Sequence, residues 1–174
     1  GCDVDRGVVD TLLGYCEKSG GPGGGVCYST DKGQQGMGNI GRTAGTWLGA
    51  RGLGRGQEPF PQLMEKYTRE HIAAILDGHA SLQQHILLAG LAAHALGPDA
   101  EKAFWDGGLR RDLILARAPD GSLQPRPWHE SLLMGSNTDV SMGEVWTTAS
   151  WAIVLGAHCD GKSGGLPGWC GTRD

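Results

Sequence analysis

Met37-Gly38-Asn39-Ile40-Gly41-Arg42-Thr43-Ala44 recurs further along the chain as Met142-Gly143-Glu144-Val145-Trp146-Thr147-Thr148-Ala149. The shared pattern is M-G-x-[IV]-x-x-T-A, with a tryptophan close behind each copy, Trp47 and Trp151. Both copies run into a Leu-Gly pair, Leu53-Gly54 and Leu155-Gly156, the ending expected of a helix whose glycine takes the left-handed backbone. Upstream of each lies a matching turn, Pro22-Gly23-Gly24-Gly25-Val26 and Pro119-Asp120-Gly121-Ser122-Leu123. A third Leu-Gly pair, Leu96-Gly97, falls between them. Two units about 105 residues apart, with a degenerate unit between, imply a helix-pair repeat of about 50 residues, which is the logic of a solenoid or a closed ring.

Six helices fill that plan. Asp5 to Lys18 carries Val8, Val9, Leu12, Leu13 and Cys16 at helical spacing and stops at Ser19-Gly20-Gly21. Asn39 to Ala50 follows a glycine-rich loop. Phe60 to Leu76 has Pro61 in its first turn and a stripe of Met64, Tyr67, His71 and Ile75. Ser81 to Leu96 opens on Ser81 and Gln84, a capping box, and stops at Gly97-Pro98. Asp99 to Ala116 reads as two short helices broken at Gly107-Gly108, and Gly143 to Leu155 places Val145, Ala149, Ala152 and Ile153 on one face. Ala152 to Leu155 could pass for a strand, but it continues a helical pattern. The fold class is therefore all-α, helix hairpins with long glycine-rich loops, in one domain over 1–174.

Composition sets the outer limits. A chain of 174 residues can bury roughly two-thirds of its unfolded surface. Its 31 glycines follow no G-X-Y period, so a collagen helix is excluded. The net charge is −4, and no basic cluster exceeds Arg110-Arg111, so a nucleic-acid partner is not expected. No apolar run reaches the 18 or so residues that cross a bilayer. The opening Gly1-Cys2-Asp3-Val4-Asp5 is not a signal peptide, and the chain is expected to be a processed product or a piece of something longer.

A P-x-G-x-[aliphatic] loop followed by a T-A-containing helix that ends in Leu-Gly resembles the α/α toroid of terpenoid cyclases and protein prenyltransferases. The stretches Met37 to Gly54, Gly78 to Gly97 and Asp120 to Gly156 look particularly like an uncharacterised bacterial toroid family known only as a domain of unknown function. The resemblance implies that this chain forms an arc or part of an α/α toroid. A complete toroid has about twelve helices, so the rest would come from another protein chain or from the remainder of the same toroid. It also implies a concave face and loops able to hold a small molecule or glycan. The function expected is a binding or scaffold domain; the rival is an enzyme in a completed cavity, acting on an isoprenoid or glycan.

Several short matches could carry chemistry. Gly156 to Ser163 spells G-x-x-x-x-G-K-S, but a phosphate loop must open a helix at Lys162-Ser163, and Gly164-Gly165-Leu166-Pro167 cannot continue one. Gly161 to Gly165 spells G-x-S-x-G without any later histidine to complete a triad. Gly36 to Gly41 spells G-x-G-x-x-G with no strand before it, and glycines admitting a close-packed helix explain it better. His85 and His94 sit on opposite faces of one helix and cannot share a metal within it. Prenyltransferases hold zinc with Asp, Cys and His; Cys2 and His85 match that pattern in part, and the aspartate, two residues before the cysteine, would lie outside this chain. No metal and no cofactor are expected. Terpenoid cyclases protonate their substrate with D-x-D-D, of which Asp3 and Asp5 supply only D-x-D. Asp139, Glu144 and His85 are the catalytic candidates, set against cap and turn roles for the two carboxylates. Trp128, His129 and Asn137 are the ligand-binding candidates, in a long loop where an indole could stack on a sugar; Trp105, Trp146 and Trp151 read as inter-helix core.

None of the five cysteines forms a C-x-x-C pair. A Cys159–Cys170 disulfide would staple a Gly/Pro loop, worth roughly 3 kcal/mol in the chain-entropy account, and would place the protein in an extracytoplasmic compartment, periplasmic or secreted. Buried unpaired thiols are the open alternative.

Overall fold

The computed structural model describes residues 4–31, 39–77, 81–125 and 138–159; of these, the side chains of 76, 77, 108, 138–141, 158 and 159 are not described. The described residues are helical, with no named strand among them. Helix α1 spans Arg6–Ser19 and is capped by Asp5, whose Oδ1 accepts from the amides of Gly7 and Val8. Helix α2 (Ile40–Gly52) is capped in the same way by Asn39, and α4 (Leu82–Leu96) by Ser81. Between them, α3 spans Pro59–His71, with its proline in the first turn where no amide is needed, and tightens into a 3₁₀ turn over Ile72–Asp77. Next come α5 (Pro98–Phe104) and α6 (Arg110–Ala116), then α7 (Thr138–Cys159).

Three expectations change. The stretch over 99–116 does not break at Gly107-Gly108; a π turn over Trp105–Leu109 carries the chain through from α5 to α6. The reason is a close approach: a Cβ on Gly107 would stand 2.4 Å from the carbonyl oxygen of Ala73, so the glycine serves packing rather than termination. The helix from Phe60 departs from α geometry after His71, with Ala74 at φ −91°, ψ 23°. The Leu155-Gly156 end is no end at all, because α7 runs through it to Cys159. Gly54 and Gly97 have φ of +74° and +99° and terminate their helices, whereas Gly156 is not among the positive-φ glycines.

The repeat is visible as hydrogen bonds. After α1, an isolated bridge joins Gly20 to Val26, and after α6 another joins Arg117 to Leu123. In the first turn the Gly21 amide donates to Gly25 O, Gly24 to Gly21 O and Cys27 to Ser19 O; in the second, Ala118 donates to Ser122 O, Gly121 to Ala118 O and Gln124 to Ala116 O. Gly24 and Gly121 take the same left-handed φ, +87° and +89°. Each turn then docks on the threonine of the repeated T-A pair: the Val26 amide donates to Thr43 Oγ1 and the Leu123 amide to Thr148 Oγ1, both at 2.9 Å. One backbone turn and one side-chain acceptor are thus built twice.

The helices pack in two rows. α2, α4 and α7 follow one another in the first row, with α4 in the middle. The second holds α3 with its 3₁₀ turn and the α5–π–α6 run, touching through the 3₁₀ and π turns. α1 adjoins α3, where a Cβ on Gly20 would meet the Phe60 ring, and Arg55 ties it down by pairing with Asp10 of α1 and with Glu58. Small residues let the first row close up: a Cβ on Gly41 would stand 2.5 Å from the His85 ring, and one on Gly45 or Gly90 would meet Leu88 or Val154 at 2.8 Å. Trp47, Met64, Ile72, Ile75, Phe104, Leu109 and Val154 fill the space between the rows.

Candidate functional site

Helix α7 is laid out backwards for a surface helix. Its described exposed residues are Met142, Glu144, Val145, Ala149, Ala152, Ile153 and Gly156, and Glu144 alone among them is polar. Its polar Thr147 and Ser150 are buried, each 1% exposed. Thr147 Oγ1 donates to the Gly143 carbonyl, and Ser150 Oγ has no hydrogen-bond partner among the described residues. The stripe Val145, Ala149, Ala152, Ile153 and Gly156 lies on one side of the helix, and Val145 is 82% exposed. A helix with a continuous apolar stripe on its free side is one that belongs inside a larger body.

The repeat supplies the comparison. In the register fixed by Thr43 and Thr148, the positions in α2 equivalent to Val145, Ala149, Ala152 and Ile153 are Ile40, Ala44, Trp47 and Leu48, all buried at 6% exposure or less. What covers them is the hairpin that follows, α3 and α4. At the other end, α1 turns Val9, Leu13 and Cys16 inward and leaves Val4, Val8, Leu12 and Tyr15 on an adjoining exposed stripe. α6 adds exposed Ile114 and Leu115. The apolar faces read from the sequence over 5–18 and 143–155 are therefore real as faces, but only part of the first and none of the second lies in the core.

A second cluster surrounds Arg42. Its guanidinium carbon lies 5.2 Å from the centroid of the exposed Tyr28 ring, and its Nη1 is buried with no hydrogen-bond partner among the described residues. Burial pushes the Arg42 guanidinium down from its ordinary value, opposed by Cys27, Tyr28 and Tyr67. Burial likewise pushes the Tyr67 phenol up, with Cys27 adding to the shift and Arg42 opposing it. Tyr67 stacks on His71 at 4.0 Å between centroids. Cys27 is buried, with its thiol 3.7 Å from the Gly25 carbonyl. The sequence reading passed over this group; its one local signal is an arginine set among glycines and small residues on an otherwise apolar helix.

The residues singled out from sequence do not assemble. His85 is buried under Gly41, a packing position. Glu144 is exposed, and its Oε2 accepts from the Ser122 hydroxyl at 3.4 Å, a turn-bracing contact. Asp139 belongs to α7, but its side chain is not described; Trp128, His129, Asn137 and Cys170 lie outside the described residues, as does the Cys159 side chain. Cys16 and Cys27 are free thiols. Asp5 is a helix cap, and His94 pairs with Glu101 at 2.7 Å. Trp151 is core and stacks on Trp105 at 6.0 Å. Among the described residues no three His, Cys, Asp or Glu side chains come together as metal ligands would. The G-x-x-x-x-G-K-S match begins inside the last turn of α7, where a phosphate loop would need a loop. No described helix is long and apolar enough to cross a membrane. No family model matches the chain, and neither curated proteins nor solved structures supply a match.

Proposed function

We propose that this chain is an arc of stacked helix hairpins of the α/α-toroid kind and that it works as a binding or scaffold domain. The observation that carries the reading is the bare apolar stripe of α7, set against its buried equivalent in α2. In a repeat array each hairpin covers its neighbour, so an uncovered copy of an otherwise covered surface is an assembly face. In this reading the chain supplies three successive helix pairs, α1–α2, α3–α4 and α5/α6–α7, in sequence order. The rival reading, a cavity enzyme acting on an isoprenoid or glycan, draws less support: Glu144 braces a turn and His85 fills a helix contact.

Hydroxyl-radical footprinting of the chain at high dilution tests the arc. Met142, Val145 and Ile153 are expected to be labelled heavily, and Ile40 and Leu48, the repeat partners of Val145 and Ile153, to be protected. Protection of the α7 stripe in a dilute monomer would mean that the chain covers its own edge, and the arc would be wrong.

A further inference from the structure

Among the described residues, Arg42 is a charge without a counter-charge. It stands in the first turn of α2, where Asn39 takes its backbone amide, and that turn holds no acidic residue. The amino end of a helix is electrically positive, so a cation there is disfavoured. The Arg42 Nη1 is shut away from solvent, and no described residue accepts a hydrogen bond from it. The ionisable groups that act on the guanidinium, Cys27, Tyr28 and Tyr67, are all of kinds that are neutral near pH 7. Burial and helix end thus both oppose the charge, and the Tyr28 ring at 5.2 Å offsets only part of that penalty.

The fold does not require this arginine. In the register fixed by Thr43 and Thr148, Thr147 stands where Arg42 does, buried, with its hydroxyl turned back on the Gly143 carbonyl. Gln124 and Pro125 stand where Cys27 and Tyr28 do. The same turn, docked on the same threonine, is therefore built a second time without the arginine or the tyrosine. Both belong to the first unit alone. Tyr67 joins them from α3, half-buried and stacked on His71.

We propose that Arg42, Tyr28 and Tyr67 form a binding site for one oxyanion group, the carboxylate or phosphate end of a small molecule. A guanidinium presents two parallel N–H donors to two oxygens of such a group, and the anion supplies both the missing charge and an acceptor for Nη1. The Tyr67 hydroxyl adds a third donor. Arg42 is half-buried and Tyr28 is 69% exposed, so the group can enter by a turn of the Tyr28 side chain, without opening the core. None of these residues lies on α7, so the site holds or fails separately from the arc.

Nuclear magnetic resonance of the isotope-labelled chain tests this, with sodium phosphate and sodium acetate titrated separately and sodium chloride holding the ionic strength constant. The ring signals of Tyr28 and Tyr67 and the Arg42 Nε signal are expected to shift together and to saturate with at least one of the two anions. Half-saturation near about 1 mM is what two charge-assisted hydrogen bonds support. The anion that saturates names the end group of the ligand. Arg42→Met should abolish the saturable shift while keeping the far-UV spectrum. Arg42→Lys keeps the charge and loses the fork, so it should bind about tenfold more weakly, and it carries the test should the methionine variant fold poorly. Melting gives a second readout: a saturating anion should raise the melting temperature of the wild type and leave that of Arg42→Met where it was. Absence of a saturable shift with both anions would overturn the site. An equal rise in melting temperature for both chains, the mark of a general salt effect, would overturn it too.

Discussion

Replacing Thr43 by valine tests the joint on which the repeat is hung. Thr43 is fully buried; its Oγ1 accepts from the Val26 amide at 2.9 Å and donates to the Asn39 carbonyl at 2.7 Å. Valine keeps the volume and removes both bonds. The Asn39 carbonyl still accepts from the Thr43 amide at 2.9 Å, so its loss is minor. The Val26 amide has no such second partner in its hydrogen-bond pattern, and Val26 is itself buried. Stranding a buried amide costs about 1–3 kcal/mol, and the mid-range value of about 2 is the expectation here. At roughly 2–4 °C per kcal/mol for a chain of this size, the melting temperature should fall by roughly 4–8 °C. The same change at Thr148, itself only half-buried, strands the amide of Leu123, which is as buried as Val26, so a loss of about 1–2 kcal/mol is expected there. Thr43→Ser keeps the hydroxyl and loses one methyl, about 1 kcal/mol. Urea unfolding of the three variants, read as midpoint at constant slope, ranks them. No loss for Thr43→Val would show that the hydroxyl contributes nothing and that the turn is not anchored through the threonine.

Other consequences follow from the same geometry. Gly24→Ala and Gly121→Ala both force a left-handed alanine, about 1–2 kcal/mol, but only at Gly24 does the new Cβ fall 2.3 Å from a carbonyl oxygen, that of Leu63; overpacking there should add about 1–3 kcal/mol, and equal losses by thermal melting would contradict this. Tyr67 should ionise above the ordinary tyrosine range, a late step in an ultraviolet titration that Tyr67→Phe removes. Because its folded value is the raised one, the stability it lends is whole below the unfolded tyrosine value and drains away as the pH climbs through the folded one, so Tyr67→Phe should blunt the alkaline loss of stability. Burial pushes the Cys16 thiol up and encloses Cys27, so both should react with a thiol reagent more slowly in the native chain than in urea, where fast native labelling of Cys27 would contradict its burial.

Much of the local structure was legible before any coordinates. Three helix starts, at Asp5, Asn39 and Ser81, were placed from sequence, Ser81 by its capping box, and each residue caps its helix, because a side-chain oxygen beside free amides acts within one turn and needs no distant partner. The equivalence of the two P-x-G turns was legible too, since a left-handed glycine and a bridge of a few residues are set by the residues that make them. The candidate residues fared differently. His85 and Glu144 looked like chemistry from residue type and place in the repeat, but residue type carries no information about what stands opposite, and one faces a glycine while the other faces a serine.

Which side of each helix turns inward was settled only by the packing. Periodicity marks Val145, Ala149, Ala152 and Ile153 as one face without saying whether a neighbour reaches it, and the same pattern is core in α2 and surface in α7. The helix from Pro98 to Ala116 was undivided for a like reason: Gly107 can break a helix or admit a backbone, and the nearness of Ala73 chose the second. Composition and local hydrogen bonding thus determined the elements and their repetition. Contacts between residues far apart in the chain determined the rows, the cluster around Arg42 and the open edge of α7, because burial belongs to pairs of surfaces rather than to either surface alone.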